Sequence, residues 1–334
     1  MNDTRKLDVL CVGMSVNWIN EWLKREDIRL VGCVDLYGKG AGEGELPVYP
    51  TLKEALRHHK PDLVTLTAPP DGKTAPADVE SILRSGYDVY IEKLRPSSLE
   101  DGAALLRLAE QYDRGIAVGE SYRYEAVIQT VKRLMDGGKL GRIEQIVWNC
   151  HRVNIEDAWT DAYPHVMLED LSYHHLGAIQ YLAGTPLTEV YASTRAPSWS
   201  HKPHTEVSLM MRGGDHLRVS YFASWAASGE LTPWLGDFRL EGTQGTVIAQ
   251  NGDIRYRARS ESEDEPSARI EIGPHEHVLM GGIIDEYIRS FRSGHRSDQD
   301  IRQTVGVIEL MRGALQSSIE NRVVTIGGPY GTGN

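Results

Sequence analysis

The fold is decided by residues 86–94, which read Gly-Tyr-Asp-Val-Tyr-Ile-Glu-Lys-Leu. The apolar and β-branched residues of this stretch predict a buried strand, and the charged pair Glu92–Lys93 follows at its carboxyl end. In an open parallel sheet, ligands bind at the edge formed by the carboxyl ends of the strands. A lysine at that edge can donate or accept a proton when its neighbours lower its pKa. A solvated lysine at a strand end fits the same spacing.

Residues 1–121 alternate between strand and helix patterns along their whole length. Short apolar runs predict the strands, and capping boxes such as Thr51-x-x-Glu54 predict where helices begin. This alternation is typical of a parallel, doubly wound sheet, so we expect an α/β fold with a Rossmann domain over residues 1–121. The predicted strands cover residues 7–12, 29–34, 63–67, 88–91 and 116–118.

The first strand-to-helix turn is the place where the pyrophosphate of a dinucleotide binds in such a sheet. The expected pattern is G-x-G-x-x-G, and residues 13–18 read Gly-Met-Ser-Val-Asn-Trp. Ser15 is small and its hydroxyl can bond a phosphate, whereas Trp18 cannot provide the close helix–strand packing of the third glycine. The turn is therefore a candidate cofactor contact, with an ordinary turn as the alternative.

Asp35 follows the second predicted strand, roughly 20 positions after Gly13, which is where dinucleotide-binding sheets carry an acidic residue. A carboxylate there accepts hydrogen bonds from a ribose 2′-hydroxyl and repels a 2′-phosphate. The sequence therefore favours NAD over NADP as the cofactor. A solvated carboxylate at a strand end is the alternative interpretation of Asp35.

Residues 122–334 show a different pattern, with long strands that alternate apolar and polar residues. A turn at residues 211–216 links two of these strands like a hairpin. We therefore expect a second, α+β domain with a large, mostly antiparallel open sheet over residues 122–334. The predicted strands cover residues 142–151, 188–194, 206–211, 216–223, 237–241, 246–249 and 253–258, and a helix covers residues 300–319.

A helix predicted over residues 166–183 carries the most informative polar residues of the second half. Its core-facing stripe is predicted to include His175. Asp170 and His174 are spaced i, i+4 on a neighbouring face, so they lie close together. A histidine beside a carboxylate is a candidate acid–base unit, although such a pair is also common as a purely structural feature of helices.

Composition narrows the classes of partner. The chain has 334 residues, a formal net charge of −11 and no basic run, which disfavours binding to nucleic acid or to an anionic membrane. We expect no signal peptide and no membrane-spanning helix. The three cysteines, Cys11, Cys33 and Cys150, fall in predicted strands and are expected to be buried free thiols, as in a cytoplasmic protein. Their spacing predicts no metal site.

Four motifs, in this order along the chain, resemble the glucose–fructose oxidoreductase / inositol dehydrogenase / MocA (Gfo/Idh/MocA) family. Its Thr-Pro-Pro turn is similar to residues 67–70 (TAPP), and its strand ending in Glu-Lys-Pro is similar to residues 90–94 (YIEKL). Its Gly-Tyr-x-x-Arg segment is similar to residues 119–124 (GESYRY), and its Asp-x-x-x-His helix is similar to residues 170–174 (DLSYH). The likeness covers nearly the whole chain.

The resemblance implies an NAD-dependent dehydrogenase that acts on a CH–OH group of a sugar or cyclic polyol and forms a homodimer or homotetramer through its large sheet. The hydride goes to the nicotinamide and the hydroxyl proton to a side chain. The family's catalytic residues fall on Lys93, Asp170 and His174, which we expect to share one site between the domains. The implied cofactor contacts are Gly13, Met14, Ser15, Val16, Asp35, Thr67, Ala68, Pro69, Glu92 and Lys93.

Further candidates for substrate contacts are polar and aromatic residues near these motifs, each of which is equally well explained as a packed or surface residue: Tyr122, Arg152, Trp159, Tyr163 and His165. The chain departs from the family pattern at Leu94, which replaces a proline, and at Gly177, which replaces an acidic residue. Two alternatives therefore remain open. One is a non-catalytic relative that binds a dinucleotide, and the other is a glycosidase on the same scaffold that uses NAD transiently.

Overall fold

The structure, a computed structural model, describes the chain in nine stretches: residues 5–13, 15–36, 46–67, 76–92, 99–153, 164–262, 264, 266–273 and 277–327. The chain forms two compact units. Unit 1 comprises Met1–Ser121 and His277–Val305, and unit 2 comprises Tyr122–Glu276 and Gly306–Asn334. Residues 277–305, which the sequence division assigns to the second domain, thus lie with the first.

The helices and strands are numbered in chain order. The first part contains β1 (Leu7–Val12), α1 (Val16–Leu23), β2 (Ile28–Val34), β3 (Val48–Tyr49), α2 (Leu52–His58), β4 (Leu63–Leu66), α3 (Pro76–Arg84), β5 (Val89–Ile91), α4 (Leu99–Tyr112) and β6 (Ile116–Val118). The second part contains α5 (Ala126–Asp136), β7 (Ile143–His151), α6 (Ser172–Ala183), β8 (Leu187–Arg195), β9 (Glu206–Gly213), β10 (Leu217–Ser224), β11 (Asp237–Gly242), β12 (Gly245–Gln250), β13 (Asp253–Ala258), β14 (Ala268–Ile270), α7 (Met280–Ser293), α8 (Ile301–Glu320) and β15 (Val324–Thr325).

Unit 1 is built on a six-stranded sheet in the order β3-β2-β1-β4-β5-β6. All of its pairings are parallel, which confirms the predicted doubly wound sheet. The capping box that begins α2 is also present, because the amide of Glu54 donates to Thr51 Oγ1 at 3.2 Å. Parallel strands that alternate with helices place all their carboxyl ends at one edge, where the predicted cofactor residues fall.

Helix α7 was not predicted from the sequence, although it belongs to unit 1. Its buried residues include Ile283, Ile284, Tyr287 and Ile288, an apolar spacing typical of a helix. Tyr287 packs 4.9 Å from the ring of Tyr90 on β5 and donates its hydroxyl to the carbonyl of Ile91 at 2.7 Å. Helix α7, although distant in sequence, therefore stabilises β5, the strand that precedes Lys93.

Unit 2 is built on a nine-stranded sheet in the order β14-β13-β12-β11-β7-β10-β9-β8-β15. Only the pairing of β7 with β10 is parallel among the described strands, so the prediction of a mostly antiparallel sheet is confirmed. Buried residues alternate with exposed ones along β9, where Leu209 is buried and Met210 is 65% exposed. One face of the sheet therefore packs on apolar residues of α5, α6 and α8, and the other face is open.

Cys11, Cys33 and Cys150 are free and buried, as the sequence predicts. Within the described stretches, no helix combines the length and the apolar character that a membrane crossing requires.

Candidate functional site

Five predicted cofactor residues meet at the carboxyl edge of the sheet in unit 1. Gly13, Thr67 and Glu92 each donate a backbone amide to the last residue of a neighbouring strand, in all three cases at 2.9 Å. Asp35 follows β2 at the same edge, and its amide is held by the carbonyl of Tyr49 at 2.9 Å. Ser15 completes the group at the start of α1. The fold therefore gathers residues that are widely separated in the sequence.

Gly13 and Ser15 are the described residues between β1 and α1. Gly13 has φ 85°, in the left-handed region that glycine favours. Ser15 is the N-cap of α1, and its hydroxyl oxygen accepts the amide of Trp18 at 3.4 Å. The same hydroxyl donates to Glu92 Oε1 at 3.4 Å. First-turn amides of a helix lack intrahelical partners, and Ser15 satisfies that of Trp18.

Trp18 occupies the position of the third glycine in a way that the sequence did not reveal. Its side chain is fully buried, and its indole N–H donates to Thr65 Oγ1 at 2.8 Å. The ring also lies edge-on to Tyr287 at 6.4 Å. Helix α1 therefore packs through an inserted indole instead of through a close backbone contact, and the turn remains compatible with a ligand.

Gly119 is a residue of this edge whose importance sequence reasoning missed. Its amide donates to the carbonyl of Ile91 at 2.9 Å, and a Cβ added to it would lie 2.4 Å from the carbonyl oxygen of Glu92. Only glycine fits such an approach, so β6 holds the end of β5 closely. The signal was present in the sequence, because Gly119 belongs to one of the family-like motifs.

Several predicted residues lie outside the described residues, and their roles stay predictions. They are Met14, Ala68, Pro69, Lys93, Trp159 and Tyr163.

In unit 2, the helix predicted over residues 166–183 begins differently from the prediction. Met167–Leu171 form a π-helical turn, and α6 starts at Ser172. A π turn accommodates one extra residue and is frequent at functional sites. Asp170 lies on this turn and His174 lies on α6, and both are half-buried whereas most residues around them are buried. Asp170 and His174 are therefore two partly accessible polar groups on a mostly buried segment.

The imidazole of His174 lies among aromatic rings. Tyr122 stacks on it with centroids 4.9 Å apart and ring planes at 23°. Tyr173 approaches from another side at 5.2 Å, with its ring nearly perpendicular to the imidazole at 72°. The orientation of His174 is therefore restricted by packing.

The next residue, His175, is fully buried and both of its ring nitrogens are occupied. Nε2 lies 2.8 Å from the carbonyl oxygen of Trp234, and Nδ1 lies 2.9 Å from the hydroxyl of Tyr221. The Tyr221 hydroxyl also bonds the Ser172 hydroxyl at 2.8 Å. Because a carbonyl oxygen can only accept a hydrogen bond, Nε2 carries the ring proton and Nδ1 is the unprotonated nitrogen. Burial, with a smaller effect of His174, lowers the pKa of His175 to about 3, so this ring is neutral at physiological pH.

Two further candidates for substrate contacts, Arg152 and His165, make contacts with other side chains and carbonyls of the protein. Arg152 donates from Nη1 to the carbonyl of Thr232 at 2.8 Å, and its guanidinium lies 4.3 Å from the ring centre of Trp234. His165 lies 4.1 Å from the ring of His204, and burial, together with that neighbour, lowers its pKa. A substrate role for these two side chains stays a prediction.

An open cavity of about 370 Å³ lies in unit 1 at the amino ends of β5 and β6. This edge is opposite the one that carries Gly13 and Glu92, and none of the predicted site residues lines the cavity. Its lining includes Asp88, Tyr90, Arg114, Ser290, His295 and Asp300. The cavity is therefore separate from the candidate site.

Three solved oxidoreductases are similar to this chain in fold. An oxidoreductase from Agrobacterium radiobacter, in complex with NAD+, L-tartaric acid and magnesium, matches with a TM-score of 0.80 at 18% identity, over 96% of this chain and 99% of that chain. The WlbA dehydrogenase from Chromobacterium violaceum, in complex with NADH and UDP-GlcNAcA, matches with a TM-score of 0.77 at 19% identity, over 98% and 97%. An aldose-aldose oxidoreductase from Caulobacter crescentus, complexed with glycerol, matches with a TM-score of 0.76 at 16% identity, over 96% and 100%.

The family resemblance is confirmed at the level of sequence. Residues 128–248, which lie within unit 2, match the family described as GFO/IDH/MocA C-terminal domain. An uncharacterized protein, y4oX, from Sinorhizobium fredii is 22% identical over 91% of this chain and 91% of its own length.

Proposed function

We propose that this protein is an NAD-dependent oxidoreductase that transfers a hydride between a sugar or cyclic polyol and the nicotinamide. The observation that carries the proposal is the gathering of Gly13, Ser15, Asp35, Thr67 and Glu92 at one edge of a parallel sheet. The neighbouring structures support the cofactor and the substrate class, since two of them hold NAD+ or NADH and one holds a nucleotide sugar acid.

The residues present fit a bound dinucleotide. The left-handed Gly13 and the first turn of α1 would hold the pyrophosphate, and Asp35 would accept hydrogen bonds from the adenosine ribose. When bound, NAD supplies the hydride acceptor. His174, with Asp170 as its acidic neighbour, would take the hydroxyl proton as general base, and Lys93 would stabilise the developing alkoxide.

The test is a steady-state assay of NADH formation with a panel of sugars and inositols, paired with a calorimetric titration of NAD. An increase in absorbance at 340 nm, from NADH, with at least one substrate supports the proposal. Binding of NAD without turnover of any substrate would favour the non-catalytic relative. Release of sugar from a glycoside without net NADH would favour the glycosidase.

We predict that NAD binds at least about tenfold more tightly than NADP, because the Asp35 carboxylate repels a 2′-phosphate. Asp35→Ala is expected to reduce this preference to roughly threefold or less, since the repelling charge is gone. Calorimetric titration of both cofactors measures the ratio. Glu26→Ala is the matched control, because it removes an exposed carboxylate at the other end of β2. Equal affinities in the unmodified protein would remove Asp35 from the cofactor site.

We also propose that the open face of the sheet in unit 2 is covered by a second copy of the chain. Met210 is 65% and Tyr191 37% exposed on this face, whereas apolar residues of α8 belong to the core on the other face. The chain's own terminal helix therefore leaves these side chains uncovered. Light scattering should give a multiple of 37.3 kDa.

Met210→Glu is expected to shift the population toward the monomer, because a charge on this face opposes burial. Leu23→Glu, at an exposed apolar position of α1, is the matched control that should leave the mass unchanged. A monomer mass for the unmodified protein at micromolar concentration would refute the assignment.

A further inference from the structure

The two adjacent histidines of α6 have opposite environments. His175 is fully buried, bonded at both ring nitrogens and neutral, whereas the neighbouring His174 is half-buried. His174 is therefore the one of the two that is partly accessible.

Tyr122 connects these two residues. Its ring stacks on His174 at 4.9 Å and also approaches the ring of His175 at 5.7 Å and 52°. His175 cannot rotate without breaking its bonds to Tyr221 and Trp234, so Tyr122 lies against a fixed surface. The Tyr122 ring is therefore held in place by His175, and it restricts the imidazole of His174 in turn.

The backbone of Tyr122 is fixed as well. The residue belongs to the 3-10 turn Ser121–Tyr124, and its carbonyl accepts the amide of Glu125 at 3.1 Å. The carbonyl of the following residue, Arg123, accepts the side-chain amide of Gln129 on α5 at 2.7 Å. The ring of Tyr122 is thus held from the backbone side by α5.

We propose that Tyr122 is a positioning residue, whose ring sets the plane of the His174 imidazole for proton exchange with the substrate hydroxyl. This inference rests on the proposed function. Stacked aromatic pairs gain free energy beyond their buried area, and this gain favours one ring orientation over others. The aromatic ring, and not the hydroxyl, carries this role.

The proposal predicts that two substitutions of Tyr122 have different effects on kcat. Tyr122→Phe keeps the ring and is expected to retain kcat within about twofold. Tyr122→Leu removes the ring and is expected to lower kcat by about tenfold, because a loosely oriented base spends less time in the productive geometry. KM and the affinity for NAD should change less than about twofold in both variants, since the ring acts through His174. Tyr256→Leu is the matched control, because Tyr256 is a partly buried tyrosine of the same unit on β13.

A spectroscopic measurement tests the stacking independently of activity. In protein labelled at histidine, the ring current of Tyr122 should shift the carbon-bound protons of His174 upfield. The resonances are assigned by their loss in His174→Gln. The shift should persist in Tyr122→Phe and become smaller in Tyr122→Leu, where the ring of Tyr173 still lies 5.2 Å from the imidazole, while the Tyr256→Leu control keeps the full shift.

The outcomes that overturn the proposal are distinct from failure of the proposed function. An unshifted His174 resonance in the unmodified protein would show that the rings do not stack, whether or not any variant folds. Full activity of Tyr122→Leu would show that the ring does not position the base. A raised KM in Tyr122→Phe would indicate that the hydroxyl contacts substrate. A shifted resonance without any NADH formation would instead reject the oxidoreductase assignment.

Discussion

His174→Ala is expected to lower kcat by about 100-fold or more, because general acid–base catalysis by a positioned side chain contributes about 10²–10⁴ in rate. Lys93→Ala is expected to have an effect of similar size. The double variant should lose less than the product of the two single losses, because both side chains act on one proton transfer. The affinity for NAD should change little, since neither residue is proposed to hold the phosphates or the adenosine.

The measurement is kcat for the best substrate of the sugar panel, together with calorimetric titration of NAD for each variant. His201→Ala is the matched control, because it removes an exposed histidine from the same unit as His174 and should leave kcat unchanged. If His174→Ala retains near-full activity with every substrate that is oxidised, the residue is structural. Strictly multiplicative losses in the double variant would mean that Lys93 and His174 act in separate steps.

The second large effect is a loss of stability in acid that originates at His175. Its pKa in the folded protein is lowered to about 3 by burial, whereas an unfolded histidine titrates near 6.5. Above pH 6.5 neither state binds the proton. Below pH 6.5 the unfolded chain binds it and the folded chain does not, so the free energy of unfolding falls as the pH falls toward 3. His175 alone should cost about 1 kcal/mol between pH 6.5 and 5.5.

This effect is measured as the difference in urea midpoint between pH 7.5 and pH 5.5. His175→Gln is the informative variant, because its amide can still donate to the Trp234 carbonyl but does not titrate. We expect it to be less stable than the unmodified protein at pH 7.5 and to have a smaller pH dependence. His201→Ala should keep the full pH dependence. The same slope in His175→Gln as in the unmodified protein would assign the acid sensitivity to other groups.

Local patterns were sufficient to predict much of unit 1 and the ends of its strands. Apolar runs and capping residues depend on neighbours in sequence, so β1 and β6 have the predicted limits and α2 begins at its predicted cap. The same logic placed His175 on the buried stripe of its helix. Features that depend on the tertiary structure were not visible. The partners of His175, Tyr221 and Trp234, are 46 and 59 positions away.

In the candidate site, too, local features could be predicted from the sequence and tertiary contacts could not. The acidic residue after β2 and the glycine after β1 could be recognised because each follows an apolar strand. The stacking of Tyr122 on His174 joins two segments that no periodicity relates. The π turn before α6 was hidden for a different reason, since one inserted residue leaves the helical pattern on both sides intact.

The assignment of α7 to unit 1 has a consequence for the order in which the protein folds during its synthesis. Domains generally fold as units while the chain emerges from the ribosome, amino-terminal part first. Here β5 and Trp18 are synthesised early, but Tyr287, which packs against both Tyr90 and Trp18, is translated only after the whole segment Tyr122–Glu276. Unit 1 therefore keeps part of its apolar surface uncovered during synthesis until residues 122–276, the larger part of unit 2, have been translated.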